Sequence, residues 1–151
     1  MTAIHIDTAN VEDIPQMVKL LDQLFTIEKD FRPDRERQVR GLLLLISRPQ
    51  QGVIKIARNA EGKAIGMVSA QLVISTAQGS PSAWVEDMVI SPEYRGAGTG
   101  KALLQSALDW AREKGATRAQ LLVDMENEPA IGYYRHLGWE TTQLQARRIF
   151  L

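Results

Sequence analysis

Apolar positions recur along this chain with two periods, and the switches between them mark out its elements. The alternation Ile4-His5-Ile6 predicts a short opening strand. Asn10, followed by Glu12 and Asp13, offers a cap and an acidic first turn. Ile14, Met17, Val18, Leu21, Leu24 and Phe25 then recur at three and four, which predicts a helix to about Phe25 with one buried stripe. Phe31-Arg32-Pro33-Asp34 breaks that pattern, leaving a loop over 26–30 and a second helix over 34–47 that closes before Pro49. From Gly52 the period becomes that of strands. Segments 52–58, 64–75 and 82–90, joined by Asn59-Ala60-Glu61-Gly62 and by a loop through Gly79 and Pro81, read as three sequential antiparallel strands. A helix over 99–114 follows, with Leu103, Leu104, Ala107, Leu108 and Ala111 inward and Gly115 at its end. After a buried strand over 119–123, Asn127 caps another helix, which carries Pro129 in its first turn and stops at Gly138. Segments 139–142 and 146–151 are expected to close the chain as strands.

Helices interleave with strands, yet the middle three strands are hairpin-linked. The expected fold class is therefore α/β with a mixed, mostly antiparallel central sheet and helices on both faces, and a doubly wound Rossmann fold is excluded. At 151 residues and 44% hydrophobic the chain holds one core, so residues 1–151 are expected to form a single domain. Eighteen basic and eighteen acidic residues cancel without any block of like charge, which argues against nucleic acid or a membrane surface as partner. Cysteine is absent, and His5 and His136 stand alone, so no metal site is expected. The N-terminus lacks a charged lead and an apolar run, and the longest apolar run, Leu42 to Ile46, is far below the roughly 20 residues of a spanning helix. A cytoplasmic chain is the expectation.

Candidate chemistry concentrates where the strand over 82–90 gives way to the next helix, at Tyr94-Arg95-Gly96-Ala97-Gly98-Thr99-Gly100-Lys101. Three glycines leave the backbone bare, several N–H groups can converge on one anion, and the helix adds its positive N-terminal dipole. The segment reads as a site for a diphosphate, flanked by the charges of Arg95 and Lys101. A Walker A loop would need glycine where Arg95 stands and Ser or Thr in place of Ala102, and the dinucleotide fingerprint would need glycine in place of Lys101. What remains is RxxGxG, at Arg95, Gly98 and Gly100.

That arrangement resembles the acetyl-CoA loop of the GCN5-related N-acetyltransferases. Asn127-Glu128-Pro129-Ala130-Ile131-Gly132-Tyr133-Tyr134-Arg135-His136-Leu137-Gly138-Trp139 resembles the same family's later signature, NxxAxxxYxxxGF, with Trp139 in place of phenylalanine. With the strand and helix between them, the two motifs cover residues 82 to 139. The resemblance implies a GNAT-like acyl-CoA N-acyltransferase fold, with acetyl-CoA as cofactor. It places the CoA pyrophosphate on the backbone of Arg95, Gly96, Ala97, Gly98, Thr99, Gly100 and Lys101. Main-chain groups of Met88 and Ile90 would face the pantetheine arm, Asn127 would contact that arm, and Tyr134 would sit beside the sulfur. Glu86-Asp87-Met88 is also similar to the strand of polyamine and thialysine acetyltransferases, in which the glutamate lies near the acceptor amine.

Acetyl transfer requires a neutral amine, and an ammonium with pKa about 10.4 is neutral only about once in 2,500 at pH 7. Glu86, in an otherwise apolar strand, is the candidate base, and Tyr134 is the candidate acid for the leaving thiolate. On a regular strand Asp87 points to the face opposite Glu86, which makes it structural unless a bulge intervenes. Glu28, Lys29, Asp30 and Phe31 would border the acceptor pocket or form a solvated loop. With no cysteine to hold the acetyl group, direct attack on acetyl-CoA in a ternary complex is expected, with a small and cationic amine as acceptor. The alternatives are a protein or peptide acetyltransferase and a CoA-binding regulatory module without turnover. An apolar edge formed by the last two strands would also suit a homodimer.

Overall fold

In the computed structural model of the chain, residues 3–28 and 32–151 are described. The chain forms two compact units, Met1–Gln120 and Leu121–Leu151. The elements are β1 (His5–Thr8), α1 (Ile14–Ile27), α2 (Arg35–Ile46), β2 (Gly52–Arg58), β3 (Ala64–Ser75), β4 (Ser80–Ile90), α3 (Thr99–Glu113), β5 (Arg118–Leu121) and α4 (Glu128–His136). The five strands lie side by side in chain order, and β1 to β4 pair antiparallel. This is the mixed α/β sheet that the pattern predicts.

Side-chain parity puts a core on each face of the sheet. Ile56 and Met67 are cross-strand partners, and they join Ile54 in a cluster with Met17, Val18, Leu20 and Leu21 of α1 and Leu42 of α2. One residue along β3, Gly66 turns to the opposite face. A Cβ there would come 3.5 Å from Leu103 Cδ2 of α3 and 2.6 Å from Ile90 Cδ1, so glycine is what lets α3 approach the sheet. Leu103, Leu104, Ala107 and Ala111 form the buried stripe of α3, while Leu108 stays half-buried. No helix among the described residues is long and apolar enough to cross a membrane.

The Asn10 cap is used one element earlier than expected. It caps a 3-10 turn over Val11–Asp13, accepting from Glu12 N–H at 2.9 Å while Asp13 accepts from Asn10 N–H at 2.9 Å, and α1 continues from that turn. The same Asp13 carboxylate, buried, takes a bidentate pair from Arg58 at 2.7 and 2.9 Å. That pair ties the helix start to the end of β2 and holds the Asp13 carboxyl below its ordinary value. α1 runs on through Thr26 and Ile27, so the loop expected from residue 26 starts later.

The second unit departs most from expectation. Residues 139–142 and 146–151 form no strands. Their local pattern suits a pleated surface, but a strand persists only where a ladder partner and a buried face are supplied. Here every residue from 140 to 151 is exposed, and among the described residues no strand of the sheet lies beyond β5. The apolar edge expected from those strands is absent with them. β5 also ends at Leu121, short of Val123, with Leu122 already in water.

Candidate functional site

The glycine loop is held from behind. Ser91 N–H donates to the Ile65 carbonyl at 2.8 Å, and Tyr94 Oη accepts from the Asn59 amide at 3.1 Å. Arg95 Nε donates to the Ile90 carbonyl at 2.8 Å. The Arg95 side chain thus folds back on the strand end, and the Ile90 carbonyl that the motif assigned to a cofactor arm is already bonded. Beyond Arg95 the backbone opens. Gly96 and Gly98 lie in the left-handed region at φ 83° and 81°, where L side chains are strained, and a Cβ on either would meet nothing within 4 Å.

Gly98 occupies the N-cap of α3, with no side-chain cap. The first backbone bond of the helix runs from Ala102 N–H to the Gly98 carbonyl at 3.1 Å. Among the described residues, no N–H from Gly96 to Lys101 reaches a backbone carbonyl. These donors, at the positive end of a 15-residue helix, fit an anionic oxygen cluster such as a diphosphate. Thr99 is buried, Gly100 is half-buried and Lys101 is exposed.

The strand leading into this loop is bulged. Met67 pairs with Val89 and Ser69 with Glu86, so Val68 faces both Asp87 and Met88. Asp87 absorbs the extra residue at φ 56°, in the left-handed region that non-glycine residues rarely enter. A bulge leaves the extra residue's main chain outside the ladder, so Asp87-Met88 is where β4 has backbone to offer a ligand. It also removes the premise that Asp87 and Glu86 face oppositely. Burial, with the negative charges of Glu86 and Glu28, pushes the Asp87 carboxyl up to about 7. Sequence reasoning set Asp87 aside because period-two alternation was its only guide. The available signal was a pair of adjacent carboxylates inside an apolar strand.

Glu86 is exposed, and its carboxylate accepts the Trp84 indole N–H at 2.6 Å, which fixes its orientation. Glu28, the C-cap of α1, brings a third carboxylate to this end of the sheet. Lys29, Asp30 and Phe31 lie outside the described residues. A groove of about 420 Å³ lined by Lys55, Gln105, Trp110 and Glu113 contains none of the predicted site residues.

In the second unit, Asn127 caps α4 by accepting from Ala130 N–H at 3.2 Å, which leaves its amide NH₂ to donate elsewhere. Tyr134 is half-buried, between Tyr133 at 5.5 Å and Trp139 at 5.9 Å, both edge to face. The Tyr134 carbonyl also accepts from Trp139 N–H at 3.0 Å, so the helix end and the residue after Gly138 are clasped together. The Tyr133 hydroxyl is buried without a partner, and burial pushes its phenol up.

The sequence profile of the Acetyltransferase (GNAT) family matches residues 14–139, a span that runs through both the bulged strand and α4. An uncharacterized N-acetyltransferase of Methanocaldococcus jannaschii is 31% identical over 101 residues, covering 66% of this chain and 44% of that protein. Streptothricin acetyltransferase of Streptomyces lavendulae is 43% identical over 65 residues, covering 40% of this chain and 34% of that protein. The chain thus spans less than half the length of these relatives. An aminoglycoside N-acetyltransferase solved in complex with CoA shares the fold, with a TM-score of 0.81 at 21% identity over 100% of this chain and 95% of its own.

Proposed function

Because the chain belongs to the Acetyltransferase (GNAT) family, we propose that it is an acetyl-CoA-dependent N-acetyltransferase that acetylates the primary amine of a small, cationic acceptor by direct attack in a ternary complex. The observation that carries this reading is the start of α3, where the N–H groups from Gly96 to Lys101 are left without backbone acceptors. They bind the pyrophosphate of CoA, and Lys101 adds charge at the margin. Acetyl-CoA supplies the acetyl group activated as a thioester. Every remaining demand falls on this chain's own residues.

The acceptor arrives as an ammonium and must lose a proton. Asp87 is suited to take it, since a base whose pKa lies near the operating pH combines a populated anion with sufficient basicity. Glu86, oriented by Trp84, docks the ammonium and shares that work. The clustering of Glu28 and Glu86 about Asp87 supports a cationic acceptor, because their charges raise the cost of ionising Asp87 and a cation relieves it. Met88, in the bulge, offers main-chain groups to the cofactor arm. Asn127 donates its free amide hydrogens to the same arm, and Tyr134 returns a proton to the leaving thiolate. The streptothricin and aminoglycoside acetyltransferases to which the chain is similar are named for small-molecule acceptors.

The test is thiol release from acetyl-CoA across polyamines, aminoglycosides, amino acids and lysine peptides, with Tyr134→Phe alongside. Amine-dependent release that falls about 10-fold or more in the variant, at unchanged acetyl-CoA affinity, is the expected result. Release with lysine peptides alone would replace the small acceptor with a protein. Ping-pong kinetics would overturn direct attack.

A further inference from the structure

Lys55 alternates with Ile54 and Ile56, which enter the core under α1 and α2, so its side chain leaves β2 on the opposite face. There it lines the groove of about 420 Å³, a size that suits a small molecule, together with Ser106, Trp110 and Glu113. These three follow one another at four and three residues along α3 and share a helix face. The polar groups of the groove are left open. Lys55 is half-buried, yet its ammonium bonds only to Thr8 Oγ1, at 3.0 Å, and among the described residues it pairs with no carboxylate. The Ser106 hydroxyl, the Trp110 indole N–H and the Glu113 carboxylate have no side-chain or backbone partner among the described residues. Asp109, by contrast, already accepts from Gln105 at 2.9 Å and from Arg112 at 3.1 Å. A second cavity of about 170 Å³, lined by Leu45, Ile46, Val53 and Ile54, shares Trp110 with the groove and is also bordered by Thr8. The Lys55 ammonium, held by Thr8, therefore sits beside both spaces.

We propose that the groove and this apolar cavity form a second small-molecule site, which takes a free α-amino acid with an apolar side chain. A cation and an anion that line one groove without pairing with each other call for a ligand that carries both charges. Lys55, Ser106 and Trp110 supply donors for the carboxylate, and Glu113 takes the ammonium. The side chain enters the cavity against the Trp110 ring. A plain carboxylate would leave Glu113 unmatched, and a plain amine would leave Lys55 unmatched. The proposal does not rest on the acetyl-transfer reading, since none of the predicted site residues lines either space.

Calorimetric titration of the whole chain tests it. L-leucine and L-phenylalanine should bind with Kd of about 1 mM or below. Glycine lacks the side chain, isocaproate the ammonium and isoamylamine the carboxylate, and each should bind at least about 10-fold more weakly than L-leucine. Lys55→Gln and Glu113→Gln should each weaken L-leucine by about 10-fold or more, with acetyl-CoA affinity and far-UV circular dichroism as in the parent. Asp87→Asn should bind L-leucine as the parent does, which separates this site from an amine-acceptor site. Absence of binding by both amino acids at about 10 mM would overturn the proposal. So would isocaproate binding as tightly as L-leucine, or L-leucine binding that survives Lys55→Gln and Glu113→Gln but is lost in Asp87→Asn.

Discussion

Helices α3 and α4 begin in opposite ways, and the contrast separates a terminus built for a ligand from one built for the fold. At α4, Asn127 turns its side-chain oxygen onto Ala130 N–H and Pro129 removes another donor, so two of the three first-turn positions need no outside partner. At α3, the N-cap is Gly98 in the left-handed region, no side chain reaches back, and the first-turn donors are left without backbone acceptors. α2 follows the α4 pattern, with Asp34 accepting from Arg37 N–H at 3.2 Å. Glycine at an N-cap forgoes roughly a few tenths of a kcal/mol that Ser or Asp could contribute. It leaves the donors open for an outside anion.

The most severe way to break that contrast is Gly98→Glu. It forces a side chain into φ 81° and brings a carboxylate to the place reserved for a diphosphate. Acetyl-CoA affinity by calorimetry should fall at least about 100-fold and turnover with it. Unchanged affinity would remove the loop from the cofactor site altogether.

Next in size is Asp87→Asn, which sets the bulged half of β4 against its regular half. Turnover should drop about 100-fold to 1,000-fold, and the rise of kcat/KM with pH through about 7 that Asp87 deprotonation should give the parent should be lost. Stability should move the other way. A carboxyl whose folded pKa lies above its ordinary 3.8 binds more protons folded than unfolded, so its ionisation weakens the fold as pH rises from about 4 to 7. The amide carries no such cost, and Asp87→Asn should be more stable at pH 8 by on the order of 2 kcal/mol in urea unfolding, with the gain vanishing below pH 4. A variant that loses neither the pH limb nor activity would transfer the proton to Glu86.

What could be read from the chain divides along the same line between local and long-range causes. Gly98 at the helix start, Asn127 as cap, the stripe Leu103-Leu104-Ala107-Ala111 and both motifs are set by neighbours a few residues away, and each falls where its spacing predicts. The bulge at Asp87 depends on how Met67 and Ser69 of β3 meet β4, which no periodicity within β4 reports. The missing strands after Gly138 fail for a related reason, since alternation in 146–151 states a preference but cannot supply an adjoining edge. For Glu28 the sequence left a pocket margin and a solvated loop equally open, and its charge acts on Asp87 only through where the end of α1 lies.

The smallest effect discriminates best between the two helix starts. Asn127 has two separable groups, an oxygen that caps α4 and an NH₂ that can serve the cofactor arm. Asn127→Asp keeps the oxygen, adds a charge that the helix N-terminus favours, and deletes only the donors. Asn127→Ala deletes both. The alanine variant should lose about 1 kcal/mol of stability, whereas the aspartate variant should keep its melting temperature within a degree or two. Acetyl-CoA affinity should fall about 5-fold to 10-fold in both, the worth of one hydrogen bond at roughly 1 kcal/mol. If the aspartate variant binds acetyl-CoA as tightly as the parent, Asn127 is a cap and nothing more. The start of α4 would then differ from that of α3 in kind, its cap serving the fold and not the cofactor.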